Sequence, residues 1–155
     1  MDYALPTMDD FLHNLNGCNI FSRLDIKQAF HQVEVAENCH HITTFITKIG
    51  LMRYKRLMFG ITCAPEIFQK TIEKIFAGVE GVMYYIDDII IFAKNIKDHD
   101  KRLSKVMEKV DQYNILLNSE KCVYKLNELE FLGHHMFAVC FSLIYRLGFD
   151  VCHSF

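Results

Sequence analysis

The sequence lacks the excess of positive charge that usually marks a domain able to bind nucleic acid on its own. Its 155 residues contain 17 lysines and arginines against 19 acidic residues, so the formal net charge is −2. Two stretches, residues 48–56 and 94–109, are nevertheless locally basic. An ordinary solvated face and a face that contacts a phosphate backbone are both consistent with these stretches.

Cysteine spacings typical of disulfide frameworks or zinc sites are also missing. None of the six cysteines belongs to a Cys-x-x-Cys pair, and no signal-peptide pattern is present. We therefore expect reduced thiols in an intracellular, cytoplasmic chain without a targeting signal. Two short clusters, Cys39-His40-His41 and His134-His135, do not favour a zinc site, because neighbouring residues of a strand point to opposite faces. The apolar stretch 137–145 is shorter than the ~20 residues of a transmembrane helix, so we expect no membrane partner.

What the sequence does contain is enough apolar material for the core of one domain, since 51% of its residues are hydrophobic. Alternating patterns predict a strand at residues 21–25 and β-hairpins at residues 43–54 and 82–92. Helical spacing predicts one helix that starts at Pro65 and another over residues 97–113.

Shorter elements complete the prediction: a capped helix beginning near Thr7, a helical turn or two over residues 26–32, and an extended piece from Val33. This order predicts an α+β fold in which the helices pack on one face of an antiparallel sheet.

Asp87 and Asp88 lie side by side in the middle of the apolar stretch 82–92, and the pattern places both at the turn between two strands. Burying an unpaired carboxylate costs several kcal/mol, roughly, and two neighbouring negative charges raise a pKa by repulsion. Two explanations are open. The pair is the tip of an ordinary hairpin, or it holds divalent cations, because Mg²⁺ prefers carboxylate oxygens.

A third acid, Asp25, ends the strand predicted at residues 21–25, and here the chain resembles the palm of reverse transcriptases, specifically those of gypsy-type LTR retrotransposons. Five blocks occur in that family's order and at its usual separations. They are Phe-Ser-Arg-Leu-Asp (21–25) with Ala-Phe-His-Gln (29–32), residues 57–69, Tyr-Ile-Asp-Asp (85–88), Glu-Lys-Cys (120–122) and Glu-Phe-Leu-Gly-His (130–134). One block alone is weak evidence, whereas five in order are specific.

The resemblance implies an RNA-directed DNA polymerase that adds deoxynucleoside triphosphates to a primer on an RNA or DNA template. Asp25 and Asp87 would bridge two Mg²⁺ ions, with Mn²⁺ as a substitute, and Asp88 would ligate or orient the ion on the primer side. Such two-metal sites stabilise negative charge on the attacking and leaving oxygens.

The resemblance also assigns substrate contacts to further residues. Those assigned to the nucleotide are Phe30, Phe59, Gly60 and Lys121, and those assigned to the template or primer are Gln69, Tyr85, Phe131, Leu132 and Gly133. Phe30 would lie under the nucleotide sugar and exclude a 2′-hydroxyl, and the alternative is a core phenylalanine. For Gln69, the alternative is a solvated side chain.

The resemblance predicts a palm with partial fingers over residues 1–137 and an unrelated apolar tail at residues 138–155. Translation outside the ancestral reading frame explains the tail best, and a docking segment is the alternative. The other fingers, thumb and RNase H parts of this family would belong to a parent polyprotein, acting in the cytoplasm or in virus-like particles.

Two other functions stay open at this point. Another kind of palm nucleotidyltransferase is opposed by the blocks at residues 64–69 and 132–133. A catalytically inactive palm, decayed or co-opted as a binding module, is opposed by the three intact acids but favoured by the missing fingers and thumb.

Overall fold

The computed structural model describes residue 15, residues 17–131 and residues 134–137. Its elements are β1 (Ile20–Asp25), two 3-10 helices (Ala29–Gln32 and Glu37–Thr43), β2 (Thr44–Thr47), β3 (Gly50–Arg53), α1 (Ala64–Phe76), β4 (Val82–Tyr85), β5 (Asp88–Ala93), α2 (Ile96–Gln112), β6 (Val123–Leu126), β7 (Glu128–Phe131) and β8 (His134–Phe137). The helix predicted from Thr7, the site residues Leu132 and Gly133, and the tail at residues 138–155 lie outside the described residues.

Four antiparallel strands in the order β4-β5-β1-β6 form the central sheet. The inner strand β5 carries Ile89, Ile90 and Ile91, all fully buried, as expected for β-branched residues in a strand that is covered on both faces. Its ladder with β1 runs from the Ile20–Ala93 pair to the Asp25–Asp88 pair. At this end of the ladder, the apolar residues of both strands are followed by two acids that lie opposite each other.

The two faces of this sheet are covered by different elements. On one face, Leu24, Ile89 and Ile91 pack with apolar side chains of both helices, which are Phe68, Ile72, Phe76, Val106 and Val110. On the other face, Phe21, Ile90 and Phe92 pack with Leu129, Phe131 and Met136 of the β7–β8 hairpin. The predicted α+β fold with helices on one face is confirmed. Within the described residues, no helix is both long and apolar enough to cross a membrane.

The strand at residues 21–25 and the hairpin at residues 43–54 are confirmed, but other local predictions differ from the structure. The helical turns expected over residues 26–32 shrink to a short 3-10 helix because Gln28 has a φ of +49°, which interrupts helical geometry. The extended piece expected from Val33 is a single bridge between Glu34 and Arg56.

The second helix begins one residue earlier than predicted because Asn95 caps it. The Asn95 side chain accepts a hydrogen bond from the Asp98 amide at 2.9 Å, which satisfies a free N–H of the first turn.

Candidate active site

Asp25 and Asp88 form the last pair of the ladder between β1 and β5. Directly opposed residues project from the same face, with Cβ atoms about 4.5–5.5 Å apart. Asp87 is the next residue back along the chain, and its carbonyl accepts a hydrogen bond from the Ile26 amide at 2.7 Å. The structure therefore brings together, at one end of the sheet, the three acids that the sequence predicts as a group.

The turn between β4 and β5 consists of Ile86 and Asp87, so the prediction that Asp87 and Asp88 both form the turn is wrong by one residue. Tyr85 and Asp88 are paired across the hairpin, and pairing with Asp25 keeps Asp88 within the strand. Ile86 consequently takes the first turn position with a φ of +50°. A β-branched residue rarely adopts this left-handed conformation, so the turn is strained.

Gln69 of α1 forms two hydrogen bonds to this strained turn, which together are called the Gln69 clamp. Its side chain is fully buried, its Nε2 donates to the Tyr84 carbonyl at 3.0 Å, and its Oε1 accepts from the Ile86 amide at 3.0 Å. The solvated alternative for Gln69 is therefore wrong, and its contact with a template stays a prediction. These two hydrogen bonds are not among the features predicted from the sequence, although a glutamine on the apolar stripe beside Phe68 and Ile72 was a signal for them.

Leucine in place of Gln69 is expected to lower the free energy of unfolding by about 2–4 kcal/mol, because the part-buried Tyr84 carbonyl and Ile86 amide lose their partner. Chemical denaturation followed by circular dichroism measures this loss. The matched control is Gln112→Leu at the exposed end of α2, which should change stability by less than about 0.5 kcal/mol. Equal stability of Gln69→Leu and the parent chain would contradict the clamp.

Burial and mutual repulsion make the acid cluster costly when it is ionised. Burial raises the pKa of Asp87, repulsion from Asp25 raises it further, and Lys121 partly offsets the rise. Burial also raises the pKa of Asp88, with attraction from Arg23 opposing that rise and repulsion from Asp25 and Asp87 adding to it. A positive charge between the two carboxylates would therefore stabilise their ionised forms.

Asparagine in place of Asp87 is expected to raise the melting temperature at pH 7. Because folding raises the pKa of Asp87, the folded state binds a proton more tightly than the unfolded state does. Stability therefore falls as the pH rises from the unfolded value of about 3.9 through the raised folded pKa, and the full penalty persists at neutral pH.

Because Asp87 is exposed, solvent screens part of this penalty, and removing the charge should raise the melting temperature by only about 1–3 °C at pH 7 and by less at pH 4. Calorimetry at the two pH values measures both effects. Asp111→Asn, at the exposed end of α2, is the control and should show no such pH-dependent gain. A lower melting temperature for Asp87→Asn at pH 7 would show that the charge is not a net cost.

Two cationic side chains flank the acids. Arg23 Nε lies 3.9 Å from Asp88 Oδ1, and Lys121 Nζ lies 3.9 Å from Asp25 Oδ2. The loop that carries Lys121 is tied to β1, since the Asn118 amide donates to the Asp25 carbonyl at 2.8 Å. The Lys121 side chain is 65% exposed, so its ammonium group is accessible from solvent while it lies beside Asp25.

The aromatic residues assigned to the nucleotide lie beside one another. Phe30 is buried, and Phe59 is 63% exposed. The Phe30 ring lies 5.0 Å from Phe59 and 5.6 Å from Phe68, between centroids. Phe30 therefore packs into the core on one side and supports an exposed aromatic on the other, so the core and sugar-contact alternatives are compatible.

Gly60 follows Phe59 with a φ of +90°, and an added Cβ at this position would meet no atom within 4 Å. The left-handed conformation needs glycine, and the open space lets another molecule approach the backbone.

On the primer side of the predicted site, the rings of Tyr85 and Phe131 meet edge to face with centroids 6.5 Å apart. This contact joins the strand before the acid-bearing turn to β7. The described end of the predicted primer hairpin therefore lies beside the turn.

The donor chemistry of the three acids fits a hard cation, although they do not form a ready-made cage. Among the residues the structure describes, no three His, Cys, Asp or Glu side chains already have the arrangement of a metal-ligand set. Mg²⁺ is usually held by one or two carboxylates and keeps waters and substrate phosphates as its other ligands. Asp87 and Asp88, whose pKa values are raised, lie at an end of the sheet where a substrate could supply the other ligands, which matches that mode of binding.

Comparison with known proteins identifies the family to which the chain belongs. The family model described as reverse transcriptase (RNA-dependent DNA polymerase) matches residues 1–136. The retrovirus-related Pol polyprotein from transposon 412 of Drosophila melanogaster is 39% identical over 134 residues, which cover 85% of this chain and 11% of that polyprotein. The transposon Tf2-3 polyprotein of Schizosaccharomyces pombe is 32% identical over 136 residues, covering 86% and 10%. The chain thus spans about a tenth of the length of these relatives.

Solved structures share the fold. The foamy viral protease-reverse transcriptase in complex with RNA/DNA hybrid superposes with a TM-score of 0.79 at 21% identity, covering 89% of this chain and 19% of that one. A form of the same protein in complex with double-stranded DNA gives a TM-score of 0.80 at 21% identity, covering 89% and 24%. Since the family model spans nearly the whole described region, the chain belongs to the reverse transcriptase (RNA-dependent DNA polymerase) family.

Proposed function

We propose that this chain is the palm, with part of the fingers, of a reverse transcriptase from a gypsy-type LTR retrotransposon, and that it catalyses RNA-directed DNA synthesis as part of a Pol polyprotein. The observation that carries the proposal is the Asp25–Asp88 pair with Asp87 in the adjoining turn. The transposon relatives support the retroelement origin. Under this proposal residues 1–137 are the catalytic unit, residues 138–155 are an unrelated tail, and the protein acts in the cytoplasm or in virus-like particles.

The three acids would act as metal ligands in nucleotidyl transfer. Asp25 and Asp87 would hold two Mg²⁺ or Mn²⁺ ions, and Asp88 would ligate or orient the ion on the primer side. When bound, the ions supply stabilisation of negative charge on the attacking 3′-hydroxyl oxygen and the leaving pyrophosphate.

The chain itself positions these groups before substrate arrives. The β1–β5 ladder fixes Asp25 against Asp88, and the Gln69 clamp fixes the turn that carries Asp87. Lys121, beside Asp25, would offset charge on the leaving pyrophosphate. Such rigid placement removes the need for the site to reorganise during the reaction.

Substrates would approach on the exposed side of the acids. Phe59, Gly60 and the buried Phe30 would contact the deoxynucleoside triphosphate. Tyr85 and the hairpin residues Phe131, Leu132 and Gly133 would contact the primer end, and Gln69 would support the template through the turn that it clamps. The foamy viral neighbours were solved with RNA/DNA hybrid and with double-stranded DNA, which supports a template–primer duplex as the partner here.

Valine in place of Phe30 is expected to raise the use of ribonucleotides relative to deoxyribonucleotides by at least about tenfold, because a smaller side chain leaves room for a 2′-hydroxyl. Single-nucleotide incorporation measures the ratio when residues 1–136 replace the matching segment of a complete relative. Phe76→Val, in the core at the far end of α1, creates a similar loss of volume and should leave the ratio unchanged. An unchanged ratio in Phe30→Val would assign Phe30 to the core alone.

Titration of the chain with Mn²⁺, followed by electron paramagnetic resonance, tests the proposed function without requiring turnover. Saturable binding is expected at pH 7. Asp25→Asn and Asp87→Asn should weaken it at least about tenfold, because each removes a full charge next to the ion, whereas Asp111→Asn should not change it. Equal affinity in all these proteins would contradict the metal site and favour the inactive, co-opted palm.

A further inference from the structure

A closed ring of polar contacts joins β1, α2 and β6 away from the acids. The Lys125 amide donates to Ser22 Oγ at 2.9 Å, and Ser22 Oγ lies 2.9 Å from His99 Nε2. On the other side of the imidazole, His99 Nδ1 lies 3.3 Å from Asp100 Oδ1. Asp100 Oδ2 accepts from Lys125 Nζ at 3.0 Å, so the ring begins and ends on Lys125.

The chemistry of these groups fixes the direction of the hydrogen bonds. An ionised carboxylate only accepts, so His99 Nδ1 carries a proton, and in the neutral imidazole Nε2 then accepts from the Ser22 hydroxyl. Ser22 Oγ is left to accept from the Lys125 amide. Every member of the ring is therefore satisfied, and hydrogen bonds from Lys125 and His99 lower the pKa of Asp100.

A serine, a histidine and an aspartate in this order of contact also occur in hydrolases, where the serine is a nucleophile. Burial excludes that use here. Ser22 and His99 are both fully buried, and Ser22 Oγ already receives the Lys125 amide. No substrate can reach Ser22 Oγ, so the effect of the ring is structural.

That effect lies at a bulge in β6. The ladder between β1 and β6 pairs Phe21 with Leu126 and Arg23 with Val123, and its register shifts between these pairs. Lys125 lies in this shift with a φ of +54°, a conformation that a lysine rarely adopts. Ser22 lies opposite the bulge and accepts a hydrogen bond from the Lys125 amide. Asp100 forms an ion pair with the ammonium group of the same lysine.

The bulge determines where the following hairpin goes. β7 starts at Glu128, with only one residue between it and the end of β6, and Leu126 packs in the same cluster as Leu129 and Phe131. Phe131 in turn meets the ring of Tyr85 beside the acid-bearing turn. A bulge bends its strand and re-aims the chain that follows it, so a change at Lys125 is passed to the hairpin.

We infer that Ser22 and His99 are positioning residues, which hold Lys125 in its left-handed conformation and thereby set the β7–β8 hairpin against its face of the sheet, beside the acid-bearing turn. The consequence for primer binding rests on the proposed function, whereas the consequence for the hairpin does not. The two consequences are therefore measured separately.

Hydrogen–deuterium exchange of the full chain tests the effect on the hairpin. In Ser22→Ala the amides of residues 123–131 should exchange at least about tenfold faster, because the part-buried Lys125 amide and the buried His99 imidazole each lose a partner. The amides of β4 and β5 should keep their parent rates. Ser104→Ala, an exposed serine of α2, is the matched control and should change neither region.

Asp100→Asn provides a second variant that leaves the core intact, since Asp100 is exposed. It should accelerate exchange at residues 123–131 in the same direction but by less than Ser22→Ala. Unchanged exchange at residues 123–131 in both variants, or an equal acceleration throughout the sheet, would overturn the inference, because the ring would then be inert or merely a source of global stability.

Binding measurements separate this inference from the proposed function. The binding test uses the chimera in which residues 1–136 replace the matching segment of the transposon 412 relative. Fluorescence anisotropy with a labelled RNA/DNA primer–template should show weaker binding by Ser22→Ala than by Ser104→Ala in this background, while Mn²⁺ affinity stays the same in both. If the chimera without substitutions binds no duplex, the proposed function fails on that point and the exchange data still decide the role of the ring. Duplex affinity that is unchanged in Ser22→Ala, despite faster exchange at residues 123–131, would overturn the link to the primer.

Discussion

Asparagine in place of Asp25 is expected to lower cation-dependent primer extension at least about a thousandfold, which corresponds to roughly 4 kcal/mol of activation free energy. Asp25 lies between another acid of the site and a cationic side chain. It pairs with Asp88 across the sheet and lies nearest to Lys121. Neutralising it removes a full charge from the proposed ligands of both ions, whereas the backbone ladder does not depend on the side chain.

The measurement needs a complete polymerase, so residues 1–136 would replace the matching segment of the transposon 412 relative. Single-turnover extension of a primer in Mg²⁺ and in Mn²⁺ gives the rate of the chemical step. Asp111→Asn in the same background should extend at the parent rate. Extension by Asp25→Asn within about tenfold of the parent would remove Asp25 from the catalytic group, since losses of that size follow from small positional changes alone.

The second large effect concerns the chain by itself, which is expected to extend a primer on poly(rA) only marginally despite its acids. A duplex is bound chiefly through its phosphates, and a chain with a net charge of −2 offers no general attraction to them. The described cations nearest the acids, Arg23 and Lys121, already lie within 4 Å of Asp88 and Asp25. Orientation of substrates can be worth about 7–11 kcal/mol of barrier, so an unclamped duplex and triphosphate would cost many orders of magnitude in rate.

Extension of a labelled primer by the chain and by its Asp87→Asn variant tests this expectation. Traces of product at the same low level in both proteins are expected. Robust Mg²⁺-dependent extension by the parent, abolished in Asp87→Asn, would show instead that this segment suffices for polymerisation.

The acids also explain why activity and stability should oppose each other in this fold. Burial and repulsion raise the pKa values of Asp87 and Asp88, so the ionised site costs folding free energy. The left-handed conformation of Ile86 adds backbone strain to the turn. Keeping the turn in place requires the burial of the polar Gln69 side chain, which hydrogen-bonds to it. A variant that relieves these costs, such as Asp87→Asn, is expected to be more stable and inactive, as is common when a strained site is optimised for stability.

The sequence alone predicted the main strands and helices and grouped the three acids, whose role as metal ligands stays a prediction. Alternation of apolar residues is a local property, so it predicted strand β1 and the β2–β3 hairpin, and Pro65 with its apolar stripe predicted α1. Five short blocks in order were sufficient to indicate the family that the comparisons then showed. The same local signals could not place Asp88 in a strand or in a turn, because both positions suit an acid after an apolar run.

Only the tertiary structure decided how distant side chains meet. The Ile86 amide is 17 residues from Gln69, Ser22 is 77 residues from His99, and Lys125 is 103 residues from Ser22. None of these pairs leaves a periodic trace in the sequence, since a buried polar residue looks like an exposed one until its neighbours are known. Packing α1 and α2 onto one face of the sheet removes water from these groups, and the cost of leaving a buried polar group unpaired then dictates which partners they take.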